Sequence, residues 1–567
     1  MLICESFKMK EDVKNKGREK NFMREESMPK LLTALRHYSM EQFTKDLVAG
    51  VIVAIIALPL SIALALASGV GPEEGIYTAI VGGFVIAMLG GSRVQISGPT
   101  AAFATIVAGI VATKGMEGLV VATILAGVIL VVMGLLKFGA LIRFIPHTIV
   151  TGFTAGIAVT IVIGQLKDFF GLTFQHSPIE TVEKLQECIS TFGTLNVTAL
   201  LIGILALAIQ IIWPKFNAKI PSSLIAVIVT AAVVKMAGLD VNTIGSLYDI
   251  SNKLPAPHLP VFDIGLVKNV LPDAFTIAIL AAIESLLSCV VADGMIGDKH
   301  NPNVELVAQG AGNIASGIFG GIPATGAIAR TAANIKNGGR SPIAGMVHAV
   351  VLVLILVVLM PYAALIPMPT IATILFIVAY NMCGWREFVD LVKTSPKSDI
   401  AVLIITFVLT VVFDLVVAIE FGLVLAAVLF LKRMADVAEV RSWTYVEEEQ
   451  EGLRVVPKGT LVYEIEGPMF FAVADQFLNV SMDKDTKVVI MRMQSVPAMD
   501  VSALRKLQEV YKMCEKHHVT LLFSHVTEQP WKMMEKAGFV KEVGEEKFCD
   551  NIDIAMKKAD KICGWLK

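Results

Sequence analysis

Two stretches decide how this chain is read: Gln95-Ile-Ser-Gly-Pro-Thr-Ala-Ala-Phe103 and Gly320-Gly-Ile-Pro-Ala-Thr-Gly-Ala-Ile-Ala-Arg330. Both begin with turn-forming residues inside a long hydrophobic region. Each is followed by only about ten to fifteen helix-compatible residues, whereas a bilayer crossing needs about 20. Non-helical backbone survives at membrane depth only where it is buried in protein or lines a cavity. A pair of short, interrupted segments in matching halves of a membrane protein points to a binding site at the bilayer midplane. The N-termini of the two short helices would present free N–H groups and a positive dipole end, an arrangement suited to an anion.

The rest of the chain supports a membrane reading. Of 567 residues, 55% are hydrophobic and 17% charged, and the mean hydropathy is +0.69. The apolar excess lies between about residues 43 and 431. Residues 1–42 are rich in both signs of charge, lack an apolar signal core, and read as a cytoplasmic arm with surface-helix character. The net charge of −2 identifies no partner, and nothing suggests nucleic acid. Seven cysteines without CxxC or Cys/His spacing suggest neither a disulfide framework nor a zinc site. Walker A, HExxH and hydrolase-triad patterns are missing, so an ATP-driven pump, an enzyme and a cofactor are not expected.

Turn residues and charges divide the hydrophobic region into about fourteen segments: 45–66, 70–90, 99–112, 117–136, 145–164, 194–213, 221–240, 271–292, 303–320, 325–336, 342–361, 366–382, 399–414 and 415–432. The last two are short enough to form a re-entrant pair around Asp414. With the N-terminus inside, the cytoplasmic loops carry Arg93, Lys137, Arg143, Lys215, Lys219, Lys299, Lys336, Arg340, Arg386, Lys393, Lys397, Lys432 and Arg433. The outer loops are poorer in Lys and Arg, so an even number of spans with both termini inside satisfies the positive-inside rule. The short segments stand third in each block of seven. An odd block length forces the two halves into opposite orientations, giving two inverted repeats.

Residues 43–434 thus read as a transmembrane domain and 435–567 as a soluble one. In the latter, Leu461–Ile465, Lys487–Arg492 and Val519–Phe523 are strand-like. Ser502–His517, Glu528–Ala537 and Asn551–Ile562 are helix-like, with Leu504, Leu507, Val510, Tyr511 and Cys514 near one face. Alternating strands and helices predict a small α/β domain.

Several residues could carry chemistry. Glu284 lies within an apolar span, where a charged carboxylate costs roughly 2.5–3.5 kcal/mol. It needs a partner, a cavity or a proton, so it is either an ion-coupling group or a structural carboxylate bonded to a helix end. Arg330, about one turn into a helix starting near Thr325, either strengthens an anion site or snorkels to the surface. Thr100 and Thr325 open the short helices as caps or ligand contacts. Ala101, Ala102, Gly326 and Ala327 let a ligand approach the backbone, or simply pack helices closely. Ser61, Tyr77 and Gln309 read mainly as interhelical hydrogen-bond residues. Ser502 reads as a helix N-cap, with regulatory phosphorylation as the sharper alternative.

Together, Ala57-Leu-Pro-Leu-Ser61, Gly75-Ile-Tyr-Thr-Ala79, Gly90-Gly-Ser-Arg-Val-Gln-Ile-Ser-Gly-Pro-Thr100, Ala282-Ile-Glu-Ser-Leu-Leu-Ser288, Ala292-Asp-Gly-Met295 and Ile328-Ala-Arg-Thr-Ala-Ala-Asn334 carry a family resemblance. The chain resembles the SulP anion transporters, called solute carrier family 26 in animals, from about Phe43 to its end. The second-half motifs look especially like the bacterial branch that includes a proton-coupled C4-dicarboxylate carrier. The resemblance implies an α-helical polytopic protein with two inverted seven-segment repeats, a core domain moving against a gate domain, a dimer, and a C-terminal STAS domain. Carried over by position, the substrate site would use Leu60, Ser61 and Leu64 on the first span. Thr100, Ala101 and Ala102 would follow on the third, then Thr325, Gly326, Ala327 and Arg330 on the tenth, with Glu284 coupling the ion.

The expectation is therefore a secondary active transporter of dicarboxylate, sulfate or bicarbonate, the first favoured by the bacterial resemblance, in the bacterial cytoplasmic membrane. It would work among membrane lipids and be coupled to a proton, with sodium coupling or exchange as alternatives. A membrane-anchored STAS regulator is the competing class. A nucleobase permease is disfavoured because such proteins generally lack a STAS domain.

Overall fold

The computed structural model describes residues 28–36, 38–140, 146–176, 178–217, 220–260, 263–413, 415–437, 439–443, 456–473 and 485–564. The chain falls into two compact units, Met1–Leu423 and Val424–Lys567.

The first unit is helical. Helix α1 (Met40–Ala67) starts where the Ser39 hydroxyl accepts from the Gln42 N–H at 3.1 Å, an N-cap. Pro59 lies in its interior and removes one backbone hydrogen bond close to the predicted site. After α2 (Pro72–Leu89) the chain extends as β1 (Ser97–Gly98) and enters α3 (Ala101–Leu135). Gly115, at φ 70° and ψ −177°, breaks α3 in two. That backbone is open to glycine alone, so α3 comprises the short third segment and the full fourth one. Helices α4 (His147–Phe170), α5 (Val197–Phe216) and α6 (Ser222–Ala237) complete the first half.

The second half repeats the plan with α7 (Ile264–Ile296), α8 (Pro302–Ile318), β2 (Thr325–Gly326) and the nine-residue α9 (Ile328–Lys336). Then come α10 (Ile343–Ala363), α11 (Met368–Cys383), α12 (Trp385–Thr394), α13 (Lys397–Val412) and α14 (Leu415–Val437). Among the described residues, eight helices are long and apolar enough to cross a membrane. The sequence spans all find helices here. Two amphipathic helices, Thr181–Ser190 and α12, were not expected, because a 3.6-residue stripe on a mostly polar loop does not register as hydrophobic. Asp414, the centre of the expected re-entrant pair, lies outside the described residues.

Small residues let α3 and α8 touch. A methyl group on Gly127 would sit 2.6 Å from the Gly310 carbonyl oxygen, and one on Gly310 would sit 2.5 Å from the Gly127 carbonyl oxygen. Such backbone proximity is how helices associate where lipid removes the hydrophobic driving force.

The second unit carries a five-stranded sheet, β3 (Glu439–Trp443), β4 (Thr460–Glu466), β5 (Val488–Ser495), β6 (Thr520–Ser524) and β7 (Phe548–Cys549), paired in that order. The β3–β4 pair is antiparallel and the others are parallel. Alternate strand residues face opposite sides. Leu461, Tyr463, Val489 and Met491 pack with Leu504, Leu507, Val510 and Cys514 of α15 (Val501–Lys516). Val462, Val488, Ile490 and Leu522 pack with Ala555 and Ala559 of the helix Ile552–Cys563. Burial on both faces explains the nearly continuous apolar strands.

Ser502 does not cap α15. Asp500 does: one carboxylate oxygen accepts from the Ala503 N–H and the other from the Phe471 N–H, each at 2.9 Å. A carboxylate can bond two donors at once, which the Ser502 hydroxyl two residues further along does not do here. Ser502 is exposed inside the first turn.

Candidate functional site: the crossing of the two short helices

The two stretches that open the sequence analysis meet. β1 and β2 pair antiparallel, Ser97 with Gly326 and Gly98 with Thr325, and the Ala327 N–H extends the ladder to the Ile96 carbonyl at 2.9 Å. Two halves of opposite direction produce this antiparallel meeting. The N-termini of α3 and α9 leave the ladder from opposite strands. Gly326 is required there, since a methyl group would lie 2.3 Å from the Gln95 side-chain nitrogen.

Thr100 is the N-cap residue of α3, but its hydroxyl turns away from the helix and donates to Glu284 Oε2 at 2.8 Å. Thr325 does not open a helix as expected. It sits in β2, and its hydroxyl donates to the Ala281 carbonyl at 3.0 Å, so α9 begins at Ile328 with Ala327 as the cap. Arg330 therefore falls in the first turn of α9. Arg330 as a whole is 3% exposed, so its side chain does not snorkel to the surface. Nη2 donates to the Pro99 carbonyl at 2.8 Å, and Nη1 has no protein partner. Thr100, Glu284, Pro99 and Arg330 thus converge from three elements, and Glu284 remains partly exposed. Ala101, Ala102 and Gly326 are buried beside them, and Ala327 is half-buried.

A second carboxylate builds the scaffold and was missed. Glu305, fully buried in the first turn of α8, accepts on Oε2 from the N–H groups of Gly91 (2.9 Å) and Ser92 (3.2 Å). On Oε1 it accepts from the amides of Gln95 (2.8 Å) and Gln309 (2.9 Å). The Gln309 amide also reaches Ser97 Oγ at 3.3 Å. Asn313 clamps Ala324 through both its N–H and C=O, and Ser316 donates to Ile322 at 2.7 Å. Glu305, Gln309, Asn313 and Ser316 form one stripe at four-, four- and three-residue spacing. That polar periodicity in a segment scored for hydrophobicity was the available signal. Asp46, near the start of α1, is a further fully enclosed carboxylate. Asp46 accepts from Tyr38, Gln42, Ser341 and the Arg340 N–H.

The first-span residues separate. Leu64 is buried and Leu60 half-buried, while Ser61 is fully buried with its hydroxyl unpartnered. Tyr77 donates to the Lys253 carbonyl at 3.0 Å, as an interhelical or loop contact would. Among the described residues no cluster of His, Cys, Asp or Glu could hold a metal ion.

Comparison with known proteins agrees with this architecture. The model of the sulfate permease family matches residues 43–406 and that of the STAS domain residues 454–555. The chain belongs to the sulfate permease family. It is 40% identical to the putative sulfate transporter YvdB of Bacillus subtilis, over 91% of this chain and 98% of that one. It is 30% identical to the bicarbonate transporter BicA of a Picosynechococcus species, over 91% and 94% of the two chains. The solved transmembrane domain of a cyanobacterial BicA matches 69% of this chain and 98% of its own, with TM-score 0.60 and 30% identity. Murine Slc26a9 shares the fold, with TM-score 0.87 at 18% identity over 96% of this chain and 95% of its own. This member of the sulfate permease family is an integral membrane anion transporter with a C-terminal STAS domain, not an enzyme.

Proposed function

We propose that this protein imports a small oxyanion, sulfate or bicarbonate, by proton-coupled alternating access, with the anion held at the crossing of α3 and α9. The single observation that carries this reading is the hydrogen bond from Thr100 to Glu284 beside the Arg330 guanidinium. A carboxylate and an anion bound side by side repel each other. A proton on Glu284 removes the repulsion and turns the carboxyl into a donor, so protonation and anion binding promote one another. That linkage is what symport requires. The half-helix N-termini and Arg330 supply positive potential and N–H donors. The names of the relatives support sulfate and bicarbonate over a dicarboxylate. In this reading the transporter works as a homodimer in the bacterial cytoplasmic membrane with both termini inside; the distribution of Lys and Arg supports the orientation of the termini.

The test is uptake of labelled sulfate, bicarbonate and succinate into proteoliposomes under imposed proton or sodium gradients. An inward proton gradient should drive accumulation, and Glu284→Gln should still bind anion but lose that accumulation. Accumulation driven by sodium alone, or Glu284→Gln concentrating substrate as the parent does, overturns proton coupling through this residue. A chain lacking residues 436–567 should retain uptake; complete loss of transport with intact folding would favour the STAS unit as the working part.

A further inference from the structure

On α7, Ala281, Ser285, Ser288 and Cys289 recur at four-, three- and one-residue spacing, which puts them on one face of a helix with 3.6 residues per turn. Each is bonded to one of the two stretches that meet at the crossing. The Thr325 hydroxyl donates to the Ala281 carbonyl at 3.0 Å. Gln95, just before β1, donates through Nε2 to Ser285 Oγ at 2.8 Å and accepts on Oε1 from the Cys289 thiol. The Ser288 hydroxyl donates to Thr331 Oγ1 of α9 at 3.4 Å. Ser285, Ser288 and Cys289 are fully enclosed. Glu284 stands at the edge of this face, one residue before Ser285 and four before Ser288, and there it receives the Thr100 hydroxyl at 2.8 Å.

A side-chain amide offers a carbonyl acceptor and two N–H donors. Gln95 uses all three: the carbonyl takes the Cys289 thiol, and the N–H groups go to Ser285 and to Glu305 Oε1. Reversing the amide would turn its carbonyl onto the Glu305 carboxylate, so one orientation alone satisfies its surroundings. Gln95 is thus anchored on α8 and grips α7 at two positions four residues, about 6 Å, apart. Two off-axis grips oppose rotation of α7 about its own axis. Rotation matters because side-chain tips stand about 5–6 Å from a helix axis, so a turn of about 20° moves one by about 2 Å. That is enough to break the bond between Thr100 and Glu284. We propose that Gln95, Ser285 and Cys289 are positioning residues for the coupling carboxylate: Gln95, anchored on Glu305, sets the rotation of α7 and so aims Glu284 at Thr100. The inference rests on the reading of Glu284 as the proton-coupling group.

The test compares two readouts in proteoliposomes: uptake of labelled sulfate or bicarbonate down its own gradient, and accumulation against that gradient driven by inward protons. Gel filtration is the folding control. Ser285→Ala combined with Cys289→Ala removes both grips on α7 but leaves Gln95 bonded to Glu305. Downhill uptake should stay within about twofold of the parent, while proton-driven accumulation falls about tenfold, as loss of one hydrogen bond to a charged group allows. Ser285→Ala combined with Cys289→Ser returns a donor to Gln95 and should recover most of the accumulation. In a Glu284→Gln background, already uncoupled, the alanine pair should add nothing, because its effect passes through the carboxylate. Should the pair not fold, Cys289→Ala set against Cys289→Ser makes the same comparison. Undiminished accumulation in the alanine pair, or an equal loss of downhill and driven uptake, overturns the inference while leaving Glu284 as the coupling group. If Glu284→Gln accumulates substrate as the parent does, the coupling reading itself fails, and the role of Gln95 in aiming that group fails with it.

Discussion

Removing the Glu305 carboxylate is the most demanding test of how the crossing is held. Glu305→Ala removes the acceptor of five donors at once: the backbone N–H groups of Gly91 and Ser92, the Ser285 hydroxyl, and the amides of Gln95 and Gln309, which keep Ser285 and Ser97 as other acceptors. An abandoned buried donor costs about 1–3 kcal/mol, and truncating one partner of a buried charged network typically costs about 3–5 kcal/mol. Partial relaxation and water entry argue for the lower end per donor, so about 4 kcal/mol is expected in total. In a domain of this size that corresponds to a fall in Tm of roughly 5–10 °C. Glu305→Gln should cost about half as much. It keeps one carbonyl acceptor, and the unpartnered Oε1 of Gln309 can turn to receive the new amide. Thermal unfolding of the purified protein in lipid nanodiscs, followed by tryptophan fluorescence, measures both. If Glu305→Ala melts within about 1 °C of the parent, the carboxylate does not hold the loop and the scaffold argument fails.

Gly326→Ala should abolish uptake, because its methyl group would strike the Gln95 amide that Glu305 and Ser285 hold in place, whereas Gly294→Ala, with open space around it, should transport as the parent does. Asp500→Ala should cost about 1–2 kcal/mol through loss of the cap, visible as faster hydrogen exchange in the first turn of α15; unchanged exchange would mean that the cap is dispensable. Cys514 is fully enclosed and burial pushes its thiol up to about 11, so in the folded protein it should resist alkylation at pH 8 and react only after denaturation. Thr100→Val should weaken anion affinity by removing the hydroxyl that orients Glu284, and an unchanged KM would show that the bond at 2.8 Å is incidental.

Much of the fold was legible because membrane and sheet periodicities are strong. The fourteen segments and the helix face of Leu504, Leu507, Val510 and Cys514 follow from where apolar residues recur, and burial decides both. The two short segments were legible for a different reason: Gly98-Pro99 and Gly320 to Pro323 cannot continue a helix. The sequence does not report which strand pairs with which, so Thr325 was placed at a helix start although it belongs to the ladder with Gly98. Glu305 and Gln95 were passed over because their importance lies in partners remote along the chain. A polar residue in an apolar segment announces a cost, but the group that offsets it appears only in three dimensions.

The Glu305 contacts also set an order of events during synthesis. Gly91 and Gln95 leave the ribosome 214 and 210 residues ahead of the carboxylate that satisfies them. At about 5–20 residues per second, that interval is roughly 10–40 s. Throughout it, the first short helix has neither its ladder partner nor its acceptor, and the early half of the protein can only be a waiting intermediate. Membrane insertion of that half and completion of its site are thus separate steps. A nascent chain stalled before α8 should be inserted yet open to proteases around residues 91–98, and protection should arrive when residues 305–326 do.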